Sequence, residues 1–201
     1  MSIATPYPVQ LHLDADRQIA RWRPLVQWLL AVPHLAIAYV LGRYLRGLLT
    51  VVTLFTVLFT KRIPRPLFDA IAMTFRYQWR ATSYALCLHE GYPPFSFQPT
   101  AADDGADPHA VVTLTYPEHL SRWQPLIKWI LAAPHYVVLI VLDVAALFVV
   151  IAGFFAVLFT GQYPSWARDY LVGVSRYSLR VQAYIGLLTD HYPPFTLSSG
   201  S

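Results

Sequence analysis

Charge is scarce in this chain: 13% of residues are Asp, Glu, Lys or Arg, against about 25% in ordinary soluble domains. Between Pro24 and Thr60 only Arg43 and Arg46 are charged, and between Pro125 and Thr160 only Lys128 and Asp143. Runs of this length exceed the roughly 20 residues that cross a bilayer core of about 30 Å. A soluble fold could not easily hide two of them, so the chain reads as a membrane protein. Cysteine is scarcer still. Cys87 stands alone, which excludes an internal disulfide and a metal–thiolate cluster. The opening MSIATPYPVQLHLDADRQ has no basic start, short apolar core or small-residue cleavage site, so targeting is expected to fall to the first apolar run. Enzymatic signatures are missing too: no Gly-x-Ser-x-Gly elbow, P-loop, His-Glu-x-x-His or dinucleotide fingerprint. The seven histidines are dispersed. The expectation is a protein that is not an enzyme and carries no cofactor.

What the chain does have is repetition. RWRPLVQWLLAVPH at Arg21–His34 returns as RWQPLIKWILAAPH at Arg122–His135, with nine of fourteen positions identical at an offset of 101. Further on the echo has an offset of 100: VLFT at Val57 and Val157, Arg-Tyr at Arg76 and Arg176, YPPF at Tyr92 and Tyr192. This is a tandem duplication: a first repeat over 1–97, a linker over 98–110 rich in Ala, Asp, Pro and Gly that reads as a solvated tether, and a second repeat over 111–201.

Each repeat divides into four parts. Val9–Leu13 and Val111–Thr115 alternate as strands do. A helix with basic residues at its start follows, then the apolar run, closed by Thr-x-x-x-Pro. A last helix spans Pro66–Glu90 in the first repeat and stops at Gly91. The run from Pro24 to Thr60 is too long for one perpendicular crossing. The reading adopted is a hairpin of two short spans turning near Gly42-Arg43, and near Asp143 in the second repeat; one long kinked span is the other. At a hairpin tip Arg43 and Arg46 reach water and avoid roughly 2.5–3.5 kcal/mol each of mid-membrane cost. Similar basic flanks (Arg17, Arg21, Arg23; Lys61, Arg62, Arg65) place both repeats the same way round, with both termini cytoplasmic. Trp22, Trp28, Trp123 and Trp129 fall where an aromatic belt is expected.

Two constellations carry possible chemistry. Pro33-His34 and Pro134-His135 are equivalent; a proline kink explains their recurrence, and convergence of His34 and His135 on a haem or metal is the lesser reading. Asp69, Arg76, Arg80 and Tyr84 lie at spacings of 7, 4 and 4 and form one helical stripe, repeated as Asp169, Arg176, Arg180 and Tyr184. Ile71, Phe75 and Trp79 lie opposite. The pattern describes an amphipathic helix at the membrane interface. Its Asp and Tyr, with the two prolines, are read as structural. Arg76, Arg80, Arg176 and Arg180 are candidate ligands for anionic headgroups.

The same residues carry a resemblance. Arg-Trp-x-Pro-Leu-x-x-Trp-x-Leu-Ala-x-Pro-His, Leu-Phe-Thr-x-x-x-Pro, Arg-Tyr-x-x-Arg and Tyr-Pro-Pro-Phe resemble the bacterial membrane-protein family catalogued as domain of unknown function 4389, in both copies. The resemblance implies a membrane protein and assigns no catalytic residue. The expected fold is an all-α integral membrane protein of two tandem repeats, each a transmembrane hairpin plus an interfacial helix, with short cytoplasmic strands. The expected place is the bacterial inner membrane, multi-pass. The expected function is a non-catalytic accessory or scaffold subunit of a larger membrane complex, with anionic lipids and a protein partner but no nucleic acid. The alternative is a lipid- or small-solute-binding or transport protein using the arginine stripes.

Overall fold

The first apolar run does not turn back at Gly42-Arg43. In the structure, a computed structural model describing residues 7–16, 18–100 and 102–198, it is one helix of 38 residues, Arg23–Thr60. Its parts are α1 (Arg23–Val40), a π-helical turn (Leu41–Leu45) and α2 (Arg46–Thr60). The second run is the short α4 (Gln124–Leu131) followed by α5 (Ala133–Thr160), which passes Asp143 unbroken. The expected hairpins are thus replaced by two long helices, Arg23–Thr60 and Ala133–Thr160, each long and apolar enough to cross a membrane. The reason is local. Leu41, Leu45 and Arg46 keep right-handed helical dihedrals, and one interior glycine costs only about 1 kcal/mol. Arg17, Ala101 of the linker, and residues 1–6 and 199–201 lie outside the described residues.

The long helices run antiparallel. Ile19 N donates to Gly161 O at 2.9 Å, and Leu120 N to Lys61 O at 3.0 Å. The start of each helix abuts the end of the other, so a pseudo-twofold axis crosses their middles. The long helices of the two repeats therefore point in opposite directions.

Each Thr-x-x-x-Pro is a capped corner. Lys61 (φ 59°) and Gly161 (φ 71°) turn left-handed. The hydroxyls of Thr60 and Thr160 accept the amides of Arg62 and Gln162. Pro64 and Pro164 then launch α3 (Arg65–Ala85) and α6 (Ser165–Ile185), which return along the long helices. The helix expected to reach Glu90 stops at Ala85. Leu88 N reaches Ser83 O at 3.1 Å and Leu188 N reaches Ala183 O at 3.0 Å, around left-handed Cys87 and Leu187. Both leucines are 2% exposed or less, so an apolar Schellman contact sets the stop. Gly91 has another use: a Cβ there would lie 2.9 Å from the His109 ring.

β1 (Val9–Leu13) pairs antiparallel with β2 (Ala110–Leu114), with Leu11 opposite Val112 on the pseudo-twofold axis. The result is three layers: the long helices, then α3 and α6, then the sheet with the linker. α3 was expected at the membrane interface, yet it is the buried middle layer. Ile71, Phe75 and Trp79 are at most 1% exposed, and so are Arg76 and Arg80 on its polar stripe. One hydrophobic core joins Val57, Phe68 and Trp79 to Val157, Leu171 and Leu179, so the repeats fold together. The other side of the long helices is bare. Leu29, Leu48, Val51, Phe55 and Phe59, with Val137, Ile140, Leu147, Phe148 and Phe159, are exposed.

Candidate functional site

Each Pro-His lies in a closed box within its own repeat. His34 Nδ1 and the Tyr77 hydroxyl are 2.9 Å apart, and Phe95 of the YPPF segment stacks on the imidazole at 4.2 Å, with Tyr92 edge-on. His135 repeats this with Tyr177, Phe195 and Tyr192. Both histidines are fully buried. Their contacts stay within their own repeats, so the imidazoles do not converge on a shared haem or metal, and among the described residues no cluster of His, Cys, Asp or Glu could hold a metal. The YPPF segments are the lids of these boxes. Pro33 sits inside α1 without breaking it, whereas Pro134 opens α5. Tyr84 and Tyr184 pack edge-on against Tyr92 and Tyr192.

The arginine stripes face the third layer. Arg76 donates to the carbonyls of Gln98 (2.6 Å), Ala102 (2.7 Å) and Thr100. Arg80 meets Asp103 at 3.0 Å and Asp104 at 2.5 Å. The linker is therefore no free tether but a strap across α3, and Arg76 and Arg80 are enclosed rather than offered to headgroups. Burial alone would raise the Asp104 carboxyl. Hydrogen bonds from Arg80, Ser96 and the Ala106 amide, with the charge of Arg80, hold it well below the usual carboxylate range. In the second repeat Arg176 donates to Leu197 O at 2.7 Å. Arg180 makes only long bonds, to Thr196 O (3.4 Å) and Ser198 O (3.2 Å), and lies over the Tyr7 ring. Burial pulls both guanidiniums below their usual value. Asp69 keeps one buried oxygen without a partner, and Asp169 pairs with exposed Arg168 at 3.6 Å.

The residue that sequence reasoning misplaced is Arg46, read as reaching water at a hairpin tip. It is 7% exposed, halfway along the long helix. Its guanidinium donates to Thr74 Oγ1 (2.9 Å), Thr74 O (3.2 Å), Gln78 Oε1 (2.7 Å) and Gln182 Oε1 (2.6 Å), and stacks on Phe75 at 3.9 Å. Among the described residues no carboxylate meets it. The π-turn directs it there. Before the turn α1 buries Ala31, His34 and Ala38; after it α2 buries Arg46, Thr53 and Val57, one residue later than an α-helical period would have it. The change of offset from 101 to 100 is the same extra residue, so a signal for the turn was present in the sequence. Arg46 lines a cavity of about 380 Å³ between the repeats, with Thr50, Leu54, Trp129, Tyr136 and Ile185 among its walls. The second cation missed is Lys128, 1% exposed, which pairs with Asp190 at 2.8 Å; Gln27 takes the matching place in the first repeat.

A family model described as "Domain of unknown function (DUF4389)" matches residues 21–96 and again 122–196. No curated protein and no solved structure matches the chain.

Proposed function

We propose, from the premise that the chain belongs to the DUF4389 family in two tandem copies, that it is a non-catalytic accessory or scaffold subunit lying in the plane of the bacterial cytoplasmic membrane. The observation that carries this reading is the level at which the sheet sits. Arg46, midway along its helix, bonds Gln78; the next residue, Trp79, donates to His12 O in β1 at 3.1 Å. The sheet, the linker aspartates and buried Arg76, Arg80 and Arg180 are therefore level with the middle of the long helices, all on one side of them. A perpendicular helix would carry those open strand edges into hydrocarbon, where unpaired backbone groups cost several kcal/mol each. At about 1.5 Å per residue the 38-residue helix also spans about 57 Å, nearly twice the core. Laid flat, its bare apolar side enters one leaflet. The basic residues at both ends then meet headgroups, where each contributes about 1 kcal/mol.

The test uses sealed vesicles and single-cysteine variants, Arg21→Cys and Arg62→Cys, at opposite ends of the first long helix, in a Cys87→Ala background. A membrane-impermeant maleimide should label both from the same side. Labelling from opposite sides removes the in-plane reading. Extraction in mild detergent should bring out a stoichiometric membrane partner; a chain that always emerges alone counts against the accessory role.

A second reading, binding of an anionic amphiphile, is favoured by Arg46. It is a buried cation whose partners among the described residues are all neutral, beside an apolar cavity. One anionic lipid per chain should survive in native mass spectrometry, with occupancy falling about tenfold in Arg46→Gln. Equal occupancy in the variant ends this reading.

A further inference from the structure

The duplication supplies an internal comparison for its arginine pairs. In the first repeat Arg76 makes three hydrogen bonds to linker carbonyls, and Arg80 makes three contacts to the carboxylates of Asp103 and Asp104. In the second, Arg176 makes one hydrogen bond, and Arg180 two long ones to carbonyls. Among the described residues neither has a carboxylate partner. Arg180 is nonetheless 2% exposed, so among the described residues its charge has nothing of opposite sign beside it, an arrangement that is costly unless something neutralises it. Next to the pair is a cleft of about 320 Å³, lined by Tyr7, Gln10, His12, Thr113, Arg176 and Arg180. A second and larger one, about 760 Å³, shares Leu11, His12 and Arg176 with it and is lined also by Arg168 and Asp169.

We propose that Arg176 and Arg180 form a docking cradle for an acidic peptide segment of a partner protein. The partner fills it in trans as the linker fills the first cradle in cis. The first repeat selects the ligand: equivalent arginines there hold a peptide by its main-chain carbonyls and by two consecutive aspartates, using both kinds of acceptor at once. Bidentate guanidinium–carboxylate pairing gives such a contact its geometry as well as its strength. The cradle opens on the sheet layer, the face turned to water when the long helices lie flat. The proposal rests on the accessory-subunit reading for the ligand's being a protein segment. Its test asks nothing about membrane orientation or co-purification, so the two can fail separately.

The probe is a labelled synthetic peptide with the linker's own sequence, QPTAADDGAD (residues 98–107), added to the full chain in lipid nanodiscs. Fluorescence anisotropy should show saturable binding at one peptide per chain, weakening as salt rises. A peptide carrying Asn at the two positions of Asp103 and Asp104 should bind at least about tenfold more weakly. This arm leaves the protein unaltered, so it holds even if an arginine variant fails to fold. Arg180→Lys, which keeps the charge but loses the fork, should weaken binding about tenfold, while Arg80→Lys changes it less than about twofold. The proposal is overturned by absence of saturable binding, by equal binding of the Asn peptide, or by loss with Arg80→Lys and not with Arg180→Lys. Displacement of the peptide by inorganic phosphate at the peptide's own concentration would make the cradle a small-anion site and overturn the peptide assignment.

Discussion

Deleting Tyr44 from the π-turn is expected to leave the protein folded, whereas deleting Val144 from α5 is expected to unfold it. Removing one residue from the middle of a helix ordinarily rotates everything beyond it by about 100°. In α5 that rotation moves Gly153 and Val157 off the buried stripe and brings Phe154 into the place of Gly153. No side chain fits there: a Cβ on Gly153 would lie 2.3 Å from the Tyr163 hydroxyl. The Ile19–Gly161 hydrogen bond that ties the repeats together is lost as well. Together these put the cost on the order of 4 kcal/mol or more, in the range reached by few local changes. In the first repeat the π-turn already holds one residue too many. Deleting exposed Tyr44 returns this level of the helix to the unbroken α-helical form that α5 has there, with Ala38, Arg46 and Thr53 on one stripe. Thermal unfolding in detergent, followed by tryptophan fluorescence, separates the two outcomes. The Tyr44 deletion should hold its Tm to within about 4 °C, while the Val144 deletion should lose about 10 °C or more or show no transition. Equal damage from both would mean that the π-turn has a role beyond accommodating the extra residue.

Why the hairpin was expected, and why it is absent, comes down to Arg46. A charge in the middle of an apolar run needs either water or partners. The run itself contains no acceptors for it, so a loop tip was the economical reading. The acceptors come from Thr74, Gln78 and Gln182, and nothing local announces that a glutamine more than a hundred residues away will arrive. The stripe of α3 is a similar case. Its spacing was legible, but its burial depended on Asp103 and Asp104 in a stretch whose composition reads as a tether. The Pro-His boxes show the reverse. Both halves of each box, Pro-His and YPPF, were visible as repeated motifs. Only the fold shows that one is the lid of the other, because α3 carries Tyr77 back to His34. What the sequence encodes openly is the set of caps, turns and apolar stripes, which are local. The antiparallel pairing rests on contacts distant in sequence, the Ile19–Gly161 and Leu120–Lys61 backbone bonds, β1 with β2 and the shared core, which no local pattern announces.

Replacing Arg80 by methionine should cost about 3–5 kcal/mol, because it strands two carboxylates in a poorly solvated place. The equivalent Arg180→Met should cost only about 1 kcal/mol, since it frees two carbonyls that hold long, weak bonds. Equivalent residues of one duplication are thereby predicted to differ several-fold, which is a sharper statement than either value alone. The carboxylates make the assignment checkable. Adding Asp103→Asn and Asp104→Asn to Arg80→Met should recover a good part of the loss, a coupling that independent sites would not show. Acid provides the second check. The Asp104 carboxyl is held below its ordinary value in the folded chain, so its contribution is complete above an unfolded value of about 3.9 and is lost as pH falls through the folded value. Without Arg80 the largest lowering influence and its charge are gone, and burial is opposed only by the hydrogen bonds from Ser96 and the Ala106 amide. The gap in stability between the parent and Arg80→Met should therefore be widest near neutrality and close as pH drops below about 4. The gap for Arg180→Met should stay flat over the same range, because no carboxylate among the described residues is paired with Arg180. A gap for Arg80→Met that did not change with pH would show that the arginine stabilises the strap by packing rather than by charge.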